Sequence, residues 1–329
     1  MAGRSCVYRG LKVENTIEYL SKFNEKKIAV IGDIILDKYI FGEVERISPE
    51  APIPIVSVVK ERFVPGGAAN VAANISTLGG HAILLGVIGV NHSKEILEKE
   101  LEKFSIDSSG IVSTEEHRTI QKIRVIGQNQ QLLRIDYEND FYISKKLELK
   151  IIDNLMSLNN IDAIIISDYA KGTITETIVE KAKFFAKQKD ILLLIDPKPK
   201  HQKWYRNVSL VTPNRKEAQA IVGLQIETEA DYLLCGKKLM EMLQSNIILT
   251  AGSDGMYVFE FNQKPLHIPT SAKEVYDVSG AGDTVVATLS LAIASGANLK
   301  DAAILANKAA GIKVGKLGTA QVSWEELGK

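Results

Sequence analysis

Short, unbroken apolar segments that alternate with amphipathic segments limit the fold of this sequence more than any other feature. The apolar segments are Ile28–Ile31, Ala82–Ile88, Ala163–Ile166, Ile191–Ile195, Val208–Val211 and Ile247–Leu249. Continuous apolar runs of this length are typical of strands that are buried on both faces of a parallel sheet. The amphipathic segments predict helices at Ser93–Phe104, Ser144–Leu158, Glu176–Lys187 and Glu229–Leu243. This alternation predicts an α/β fold with helices on both sides of a mostly parallel sheet.

Two stretches interrupt the alternation. Residues 38–62 and 117–137 alternate polar and apolar side chains, and neither stretch contains a helical segment. A period of two indicates strands with one exposed face, which do not belong in a buried parallel sheet. We therefore predict that these stretches form a small β-sheet lid on a main domain over residues 27–329, with residues 1–26 as an N-terminal extension.

Composition excludes several classes of protein. The 329 residues contain 40 Lys and Arg and 40 Asp and Glu, so the net charge is zero and lacks the basic excess of a nucleic-acid binder. Cys6 and Cys235 have no metal-type spacing, and they fit reduced thiols of the cytosol. The N-terminus lacks the apolar core of a signal peptide, and the apolar runs are too short to span a bilayer. The sequence predicts a soluble cytoplasmic protein that binds neither nucleic acid nor membrane.

The segment Gly280-Ala281-Gly282-Asp283 carries the strongest sign of chemistry, because it precedes an apolar helical run, Thr284–Ser295. Glycines before a helix leave backbone N–H groups unhindered at the positive end of the helix dipole, where they can bind a phosphoryl group. Asp283, in the first turn, can accept a proton from a hydroxyl nucleophile. The segment taken alone also fits a tight turn with a capping Asp. A dinucleotide-binding fingerprint is less suitable, because Val285 stands where its third glycine belongs.

Two earlier segments also combine glycine with polar side chains. Pro65–Asn70 precedes a predicted helix that extends through Leu78, and Gly66 and Gly67 would let a ligand approach the backbone. Asp33 and Asp37 follow the first predicted core strand, where carboxylates can bind sugar hydroxyls. A solvated turn is an equally good explanation for either Asp alone.

Together and in this order, these three segments resemble the hallmarks of the ribokinase-type (PfkB-type) sugar kinase family. The resemblance covers roughly residues 27–327 and implies a ribokinase-like three-layer α/β/α sandwich with a β-sheet lid. Other segments are similar to one branch, the D-glycero-β-D-manno-heptose 7-phosphate kinases. They are Arg46–Pro54, Asn129–Arg134, Ser167–Gly172, Asp196–Lys198, Thr212–Asn214 with Glu217, and Gly315–Thr319. Ser279 stands where many relatives have Thr, and Pro199 stands where Gly is expected.

The resemblance implies ATP-dependent phosphorylation of heptose 7-phosphate at O1, a step toward ADP-heptose and the lipopolysaccharide inner core. It makes Asp283 the base that removes the proton of the anomeric hydroxyl, and the N–H groups of Gly280, Ala281 and Gly282 the anion hole. The implied sugar contacts are Asp33, Asp37, Gly66, Gly67, Asn70 and Asp168. The candidate cations for the existing phosphate are Arg124, Arg134, Lys171 and Lys198.

The resemblance also implies ATP and Mg²⁺ as cofactors and leaves a monovalent cation open. Its ATP contacts are Asn214, Arg215, Lys216, Glu217, Thr250, Gly252, Gly255, Asn307 and Gly311. Asn214 and Glu217 would hold Mg²⁺ largely through water, although the same pair is also typical of a capped helix start. Family members commonly form dimers through the lid, so a homodimer is expected.

Three other functions stay open at this point. The chain could be a kinase of the same family for ribose, fructose 1-phosphate or a nucleoside, which the Asn129–Gln131 and Ser167–Gly172 segments disfavour. It could be a non-catalytic nucleotide-binding regulator, although Asp283 and its glycines are intact. A dinucleotide-dependent dehydrogenase is disfavoured by the missing glycine.

Overall fold

Two β-sheets organise the protein, whose computed structural model describes residues 16–128, 130–139, 141–316 and 320–328. The larger sheet has nine strands in the described residues, in the order β13-β12-β11-β10-β9-β8-β1-β4-β5. Its strands are β1 (Lys27–Gly32), β4 (His81–Gly89), β5 (Asp107–Thr114), β8 (Ala163–Ser167), β9 (Leu192–Asp196), β10 (Leu210–Val211), β11 (Asn246–Thr250), β12 (Met256–Phe259) and β13 (Leu266–Ile268). The strands from β5 to β11 in this order are parallel, and β12 and β13 are antiparallel to their neighbours.

Helices cover both faces of this sheet. They are α1 (Thr16–Ser21), α2 (Ala68–Thr77), α3 (His92–Lys103), α4 (Lys145–Ser157), α5 (Glu176–Lys189), α6 (Arg215–Val222), α7 (Glu229–Leu243), α8 (Ala281–Ala294), α9 (Leu299–Val314) and α10 (Trp324–Gly328). Alternate residues of β1 belong to two separate cores, with Ile28 and Val30 on one side and Ala29 and Ile31 on the other. Burial on both faces explains why the core strands are continuously apolar.

Among the residues that the structure describes, the smaller sheet has four strands in the order β3-β2-β6-β7. They are β2 (Ile34–Ile47), β3 (Pro54–Gly67), β6 (Ile120–Gly127) and β7 (Gln130–Tyr137). β2 follows β1 after Asp33 alone, and β3 leads directly into α2. We call this sheet the lid, because its strands coincide with residues 38–62 and 117–137, the two stretches predicted to form a lid.

The predicted layered α/β fold with a second small sheet is confirmed. The larger sheet is mostly parallel, as predicted, and departs from the parallel arrangement at one edge. There β12 follows β11 after a short turn over Gly252–Asp254, and a connection this short can join only antiparallel strands. No helix among the described residues has the length and apolarity needed to cross a membrane. Cys6, Asn129 and residues 317–319, which carried earlier predictions, lie outside the described residues.

Candidate active site

Asp283 lies in the first turn of α8, beside the end of the lid. Gly280 caps this helix in a left-handed conformation with φ of 74°. A Cβ atom on Gly280 would lie 2.8 Å from Nδ2 of Asn70, so both the conformation and the close approach require glycine here. The backbone thereby brings the predicted anion hole, the predicted base and Asn70 to one place.

Both carboxylate oxygens of Asp283 accept hydrogen bonds. Asn70 Nδ2 donates to Oδ2 at 2.5 Å, and the hydroxyl of Tyr169 donates to Oδ1 at 2.8 Å. Burial raises the pKa of Asp283 to about 6, although the hydrogen bonds from Asn70 and Tyr169 oppose the rise. A carboxylate with this pKa is largely ionised at neutral pH and still basic enough to take a proton from a hydroxyl group.

Asp33 holds the loop that carries Tyr169. Its carboxylate is fully buried and accepts hydrogen bonds from the backbone N–H groups of Tyr169 at 2.9 Å, Lys171 at 3.1 Å and Thr173 at 3.0 Å. Gly67 packs against this turn with φ of 57°, and a Cβ atom there would lie 2.4 Å from the carbonyl oxygen of Asp33. The contact of Asp33 with sugar stays a prediction, because its oxygens here serve the loop.

Asp168 anchors the start of the same loop and is also fully buried. It accepts from the N–H of Ala170, the hydroxyl of Tyr205 and Nδ1 of His201, each at 2.6 Å. His201 in turn bonds to the hydroxyl of Tyr142 at 2.8 Å. As with Asp33, the sugar contact of Asp168 stays a prediction, and its observed partners make it an anchor of the loop.

Each of the four cations proposed for the acceptor phosphate pairs with a carboxylate. Arg124 contacts Asp37 at 2.5 Å, Arg134 contacts Asp136 at 2.9 Å, Lys198 contacts Glu217 at 2.5 Å, and Lys171 contacts Glu138. The register places Asp37, Lys122 and Asp136 side by side on one face of the lid, and Arg124 and Arg134 side by side on the same face. Alternation in a strand therefore gives the lid a charged face beside the loop that carries Tyr169.

A cavity of about 150 Å³, lined by Asp283 and by residues of the larger domain, adjoins the start of α8. Its lining includes the predicted nucleotide residues Asn214, Glu217 and Thr250, together with Gly280 and Gly282. Asn214 and Glu217 form a reciprocal capping box at the start of α6, so the generic explanation of this pair holds. Both residues nevertheless face the cavity, which leaves their predicted nucleotide role open to test.

The other predicted ATP residues lie elsewhere. Arg215 donates to the carbonyl of Ile226 and does not line the cavity, and Lys216 is exposed. Gly252 and Gly255 form the turn between β11 and β12. Asn307 donates to the carbonyl of Pro269 at 2.7 Å.

Gly311 lies close to the segment that follows Pro269, since a Cβ atom on Gly311 would lie 2.2 Å from Oγ of Ser271. Asn307 and Gly311 thus hold the chain after β13 against α9. The ATP contacts of all six residues stay predictions.

Sequence reasoning gave no role to Tyr169, Asp196 or Lys122. Tyr169 and Asp196 belong to segments that marked the family branch, and each stands at or just after the carboxyl end of a core strand. That position is where α/β folds place their site residues, and it could have singled them out. Lys122 could not be singled out, because it lies in a strand that alternates polar and apolar residues, where a lysine is ordinarily a solvated charge.

The residues present fit a hydrated Mg²⁺ ion. The described residues contain no group of three or more His, Cys, Asp or Glu side chains that could enclose a metal. Asp196 and Glu217 both line the cavity, and burial together with the charge of Glu217 raises the pKa of Asp196 well above its ordinary value. A cation bound with phosphate would offset this crowding of negative charge, and Mg²⁺ usually binds with few protein ligands. A monovalent cation stays a prediction.

Comparison with known proteins gives one consistent family. The chain is 43% identical over 313 residues to the bifunctional protein HldE of Haemophilus influenzae. The matched region covers 94% of this chain and 64% of that protein. HldE of Gluconobacter oxydans is 40% identical over 312 residues. The chain therefore spans about two thirds of the length of these relatives.

Solved structures share the fold. Arabidopsis thaliana ribokinase complexed with ribose and ATP superposes with a TM-score of 0.73 at 18% identity, over 92% of this chain and 97% of that one. Phosphofructokinase-2 from Escherichia coli gives a TM-score of 0.78 at 18% identity over the same shares of the two chains. These matches confirm the predicted ribokinase-like fold. The sequence pattern of the pfkB family carbohydrate kinases matches residues 25–326, and the chain belongs to that family.

Proposed function

We propose that the protein transfers the γ-phosphoryl group of ATP to O1 of D-glycero-D-manno-heptose 7-phosphate. The observation that carries the kinase chemistry is the buried Asp283, which has a raised pKa and lies in the first turn of α8 beside a cavity. The similarity to HldE and the branch-specific segments support the heptose acceptor.

In the proposed reaction Asp283 takes the proton of the anomeric hydroxyl as its oxygen attacks the γ-phosphorus. The new O–P bond forms while the bond between the γ-phosphorus and the bridging oxygen breaks, and ADP leaves with that electron pair. Asn70 and Tyr169 orient the carboxylate through their hydrogen bonds. The N–H groups of Gly280 and Gly282 stabilise the charge of the phosphoryl group, while the N–H of Ala281 donates to the carbonyl of Val278 at 3.2 Å and its part in the anion hole stays a prediction. Mg²⁺, held near Asp196 and Glu217, would neutralise phosphate charge.

A sugar panel tests this function. Release of ADP is measured with heptose 7-phosphate, ribose, fructose 1-phosphate, fructose 6-phosphate and a nucleoside, and phosphorus NMR identifies the phosphorylated position. We expect heptose 7-phosphate to give the highest kcat/KM and a 1,7-bisphosphate product. A preference for any other sugar would contradict the acceptor, and no turnover with any of them would contradict the kinase assignment.

The acceptor phosphate is proposed to bind between the lid and the loop that carries Tyr169. Lys122 reaches from the lid to within 5.7 Å of the ring centroid of Tyr169, and Lys171 extends from the loop itself. Burial lowers the pKa of Lys122, while Asp37, Glu138 and Asp136 oppose this. A bound phosphate dianion would stabilise the charged form of Lys122, as these three carboxylates do.

We expect Lys122→Met and Lys171→Met each to raise the KM for heptose 7-phosphate about tenfold, because each removes one charged phosphate contact. The KM for ATP should stay within about twofold. Exposed Lys60, on the edge strand β3, provides the control variant Lys60→Met. An unchanged KM for the sugar phosphate in both variants would place the phosphate elsewhere.

We also propose that two copies of the chain pair through the outer faces of their lids. The lid face opposite the charged one carries Ile123, Val125, Leu133 and Ile135, and Leu133 is 55% exposed. Removing an exposed apolar face from water is favourable. A two-fold axis between two copies would place this face against the identical face of the second copy.

Leu133→Arg is expected to shift the protein from dimer to monomer in light scattering at micromolar concentration, because the dimer would bury an unpaired charge. Lys181→Glu on α5 is the matched surface control. A monomeric unmodified chain would contradict this pairing.

A further inference from the structure

Lys313 is a buried lysine that the proposed reaction leaves without a role. It lies near the end of α9 and is 1% exposed. Fully buried lysines are rare, because removing an ammonium group from water costs several kcal/mol unless charge or hydrogen bonds compensate. A lysine in this position therefore needs an electrostatic explanation.

The side chain of Lys313 reaches Gly280, at the start of α8, where the predicted anion hole lies. Its Cε atom lies 3.8 Å from the point where a Cβ atom on Gly280 would stand, and Oδ2 of Asp283 lies 3.8 Å from the same point. The neighbouring backbone is tied to this place as well. The carbonyl of Val314 accepts from the N–H groups of Tyr276 and Asp277, at 2.8 and 3.2 Å. The end of α9 thus fixes both Lys313 and the segment that leads into Gly280.

Two carboxylates act on the charge of Lys313. Burial lowers the pKa of Lys313 and the charge of Lys316 acts in the same direction, whereas the carboxylates of Asp277 and Asp283 act to raise it. When the proposed base takes the proton of the acceptor, the charge of Asp283 is neutralised, and negative charge grows on the phosphoryl group a short distance away. A fixed cation beside Gly280 would then act mainly on that phosphoryl charge, in surroundings of low dielectric constant.

We propose that the Lys313 ammonium group, placed beside Gly280 on the same side as Asn70 and Asp283, stabilises the transferred phosphoryl group. This inference rests on the proposed kinase function. In this arrangement Lys313 supplements the N–H donors of the anion hole with positive charge.

The test compares Lys313→Met and Lys313→Gln, which remove the charge, with Lys313→Arg, which keeps it. Lys300→Met, on the exposed start of α9, is the control. We expect the neutral variants to lose about tenfold or more in kcat with the best acceptor of the sugar panel, since a background charge acts more weakly than a direct anion-hole donor. Lys313→Arg should retain most of the kcat.

A second measurement separates charge from mere packing. Aluminium fluoride with ADP mimics the transferred phosphoryl group, and ADP alone does not. The neutral variants should bind ADP within about threefold of the unmodified chain but lose about tenfold or more in the additional affinity that aluminium fluoride provides. Thermal unfolding with and without ADP identifies any variant that fails to fold. If one neutral variant fails, the binding affinities of the other neutral variant are compared with those of the unmodified chain.

The outcomes are distinct. An unchanged kcat in a folded neutral variant would overturn the inference, as would equal losses in Lys313→Arg and Lys313→Met. Equal weakening of ADP and of ADP with aluminium fluoride would make Lys313 a packing residue, which also overturns it. No turnover by the unmodified chain would instead contradict the proposed function.

Discussion

Replacing Asp283 by Asn is expected to lower kcat by about 100- to 10,000-fold, because the amide cannot accept the proton of the attacking hydroxyl. ATP affinity should change by less than about twofold, since the side chain keeps its shape and does not hold the nucleotide. Single-turnover kinetics and equilibrium nucleotide titration measure the two quantities. Asp153→Asn, on the exposed face of α4, is the matched control. Undiminished turnover in Asp283→Asn would show that another group removes the proton.

The same base sets an expected pH dependence. Only the ionised carboxylate can accept a proton, and the pKa of Asp283 is raised to about 6 by burial. The kcat/KM should therefore rise tenfold per pH unit below about pH 6 and level off above it. Tyr169→Phe removes a hydrogen bond that favours the ionised form, so it should move the midpoint of this profile to higher pH. A profile that is flat between pH 5 and 8 would argue against Asp283 as the base.

Asp33→Asn is expected to lower the free energy of unfolding by about 3 kcal/mol, because a buried charged acceptor of three N–H groups is lost. Oδ2 accepts from both Tyr169 and Lys171, and Oδ1 accepts from Thr173. An amide group has only one oxygen, so its NH₂ must face at least one N–H donor whichever way it turns. Activity should fall as well, because the loop carries Tyr169 to the base.

Urea denaturation measures this loss, and Asp162 provides a control at the other end of β1. Its carboxylate accepts from the N–H of Lys27 at 2.8 Å in an exposed position, so Asp162→Asn should cost less than about 1 kcal/mol. A comparably small cost for Asp33→Asn would mean that the three loop N–H groups find other partners.

The layered architecture could be predicted from the sequence because burial on both sides of the sheet leaves a direct apolar signal. β12 and β13 gave a weaker signal, since they are short and lie at an edge of the sheet. Asp283 and Asn70 could be identified because each lies beside glycines at the start of a helix, where the backbone conformation requires glycine.

The roles within the site were harder to predict. Asp33 and Asp168 stand at strand ends that ordinarily bind ligands, and a sequence cannot tell whether the nearest hydrogen-bond donor belongs to a sugar or to the loop opposite. Ion pairs such as Arg124–Asp37 join residues that are far apart in the chain, and only the register of the lid brings them together. Lys313 followed the periodicity of an ordinary helix and gave no sign of its burial.

The continuity of the lid strands has a mechanical consequence. β2 and β3 each contain 14 residues and extend without a linker from the tip of the lid to Asp33 and to α2. A strand of that length measures roughly 45 Å, so a rotation of a few degrees about its base displaces the tip by several ångströms. At the base of the lid, the N–H of Ala68 donates a hydrogen bond at 3.0 Å to the carbonyl of Asp33, two residues from Asn70. A displacement of the lid tip would therefore be transmitted along these strands to the hydrogen bonds around Asp33 and Asp283.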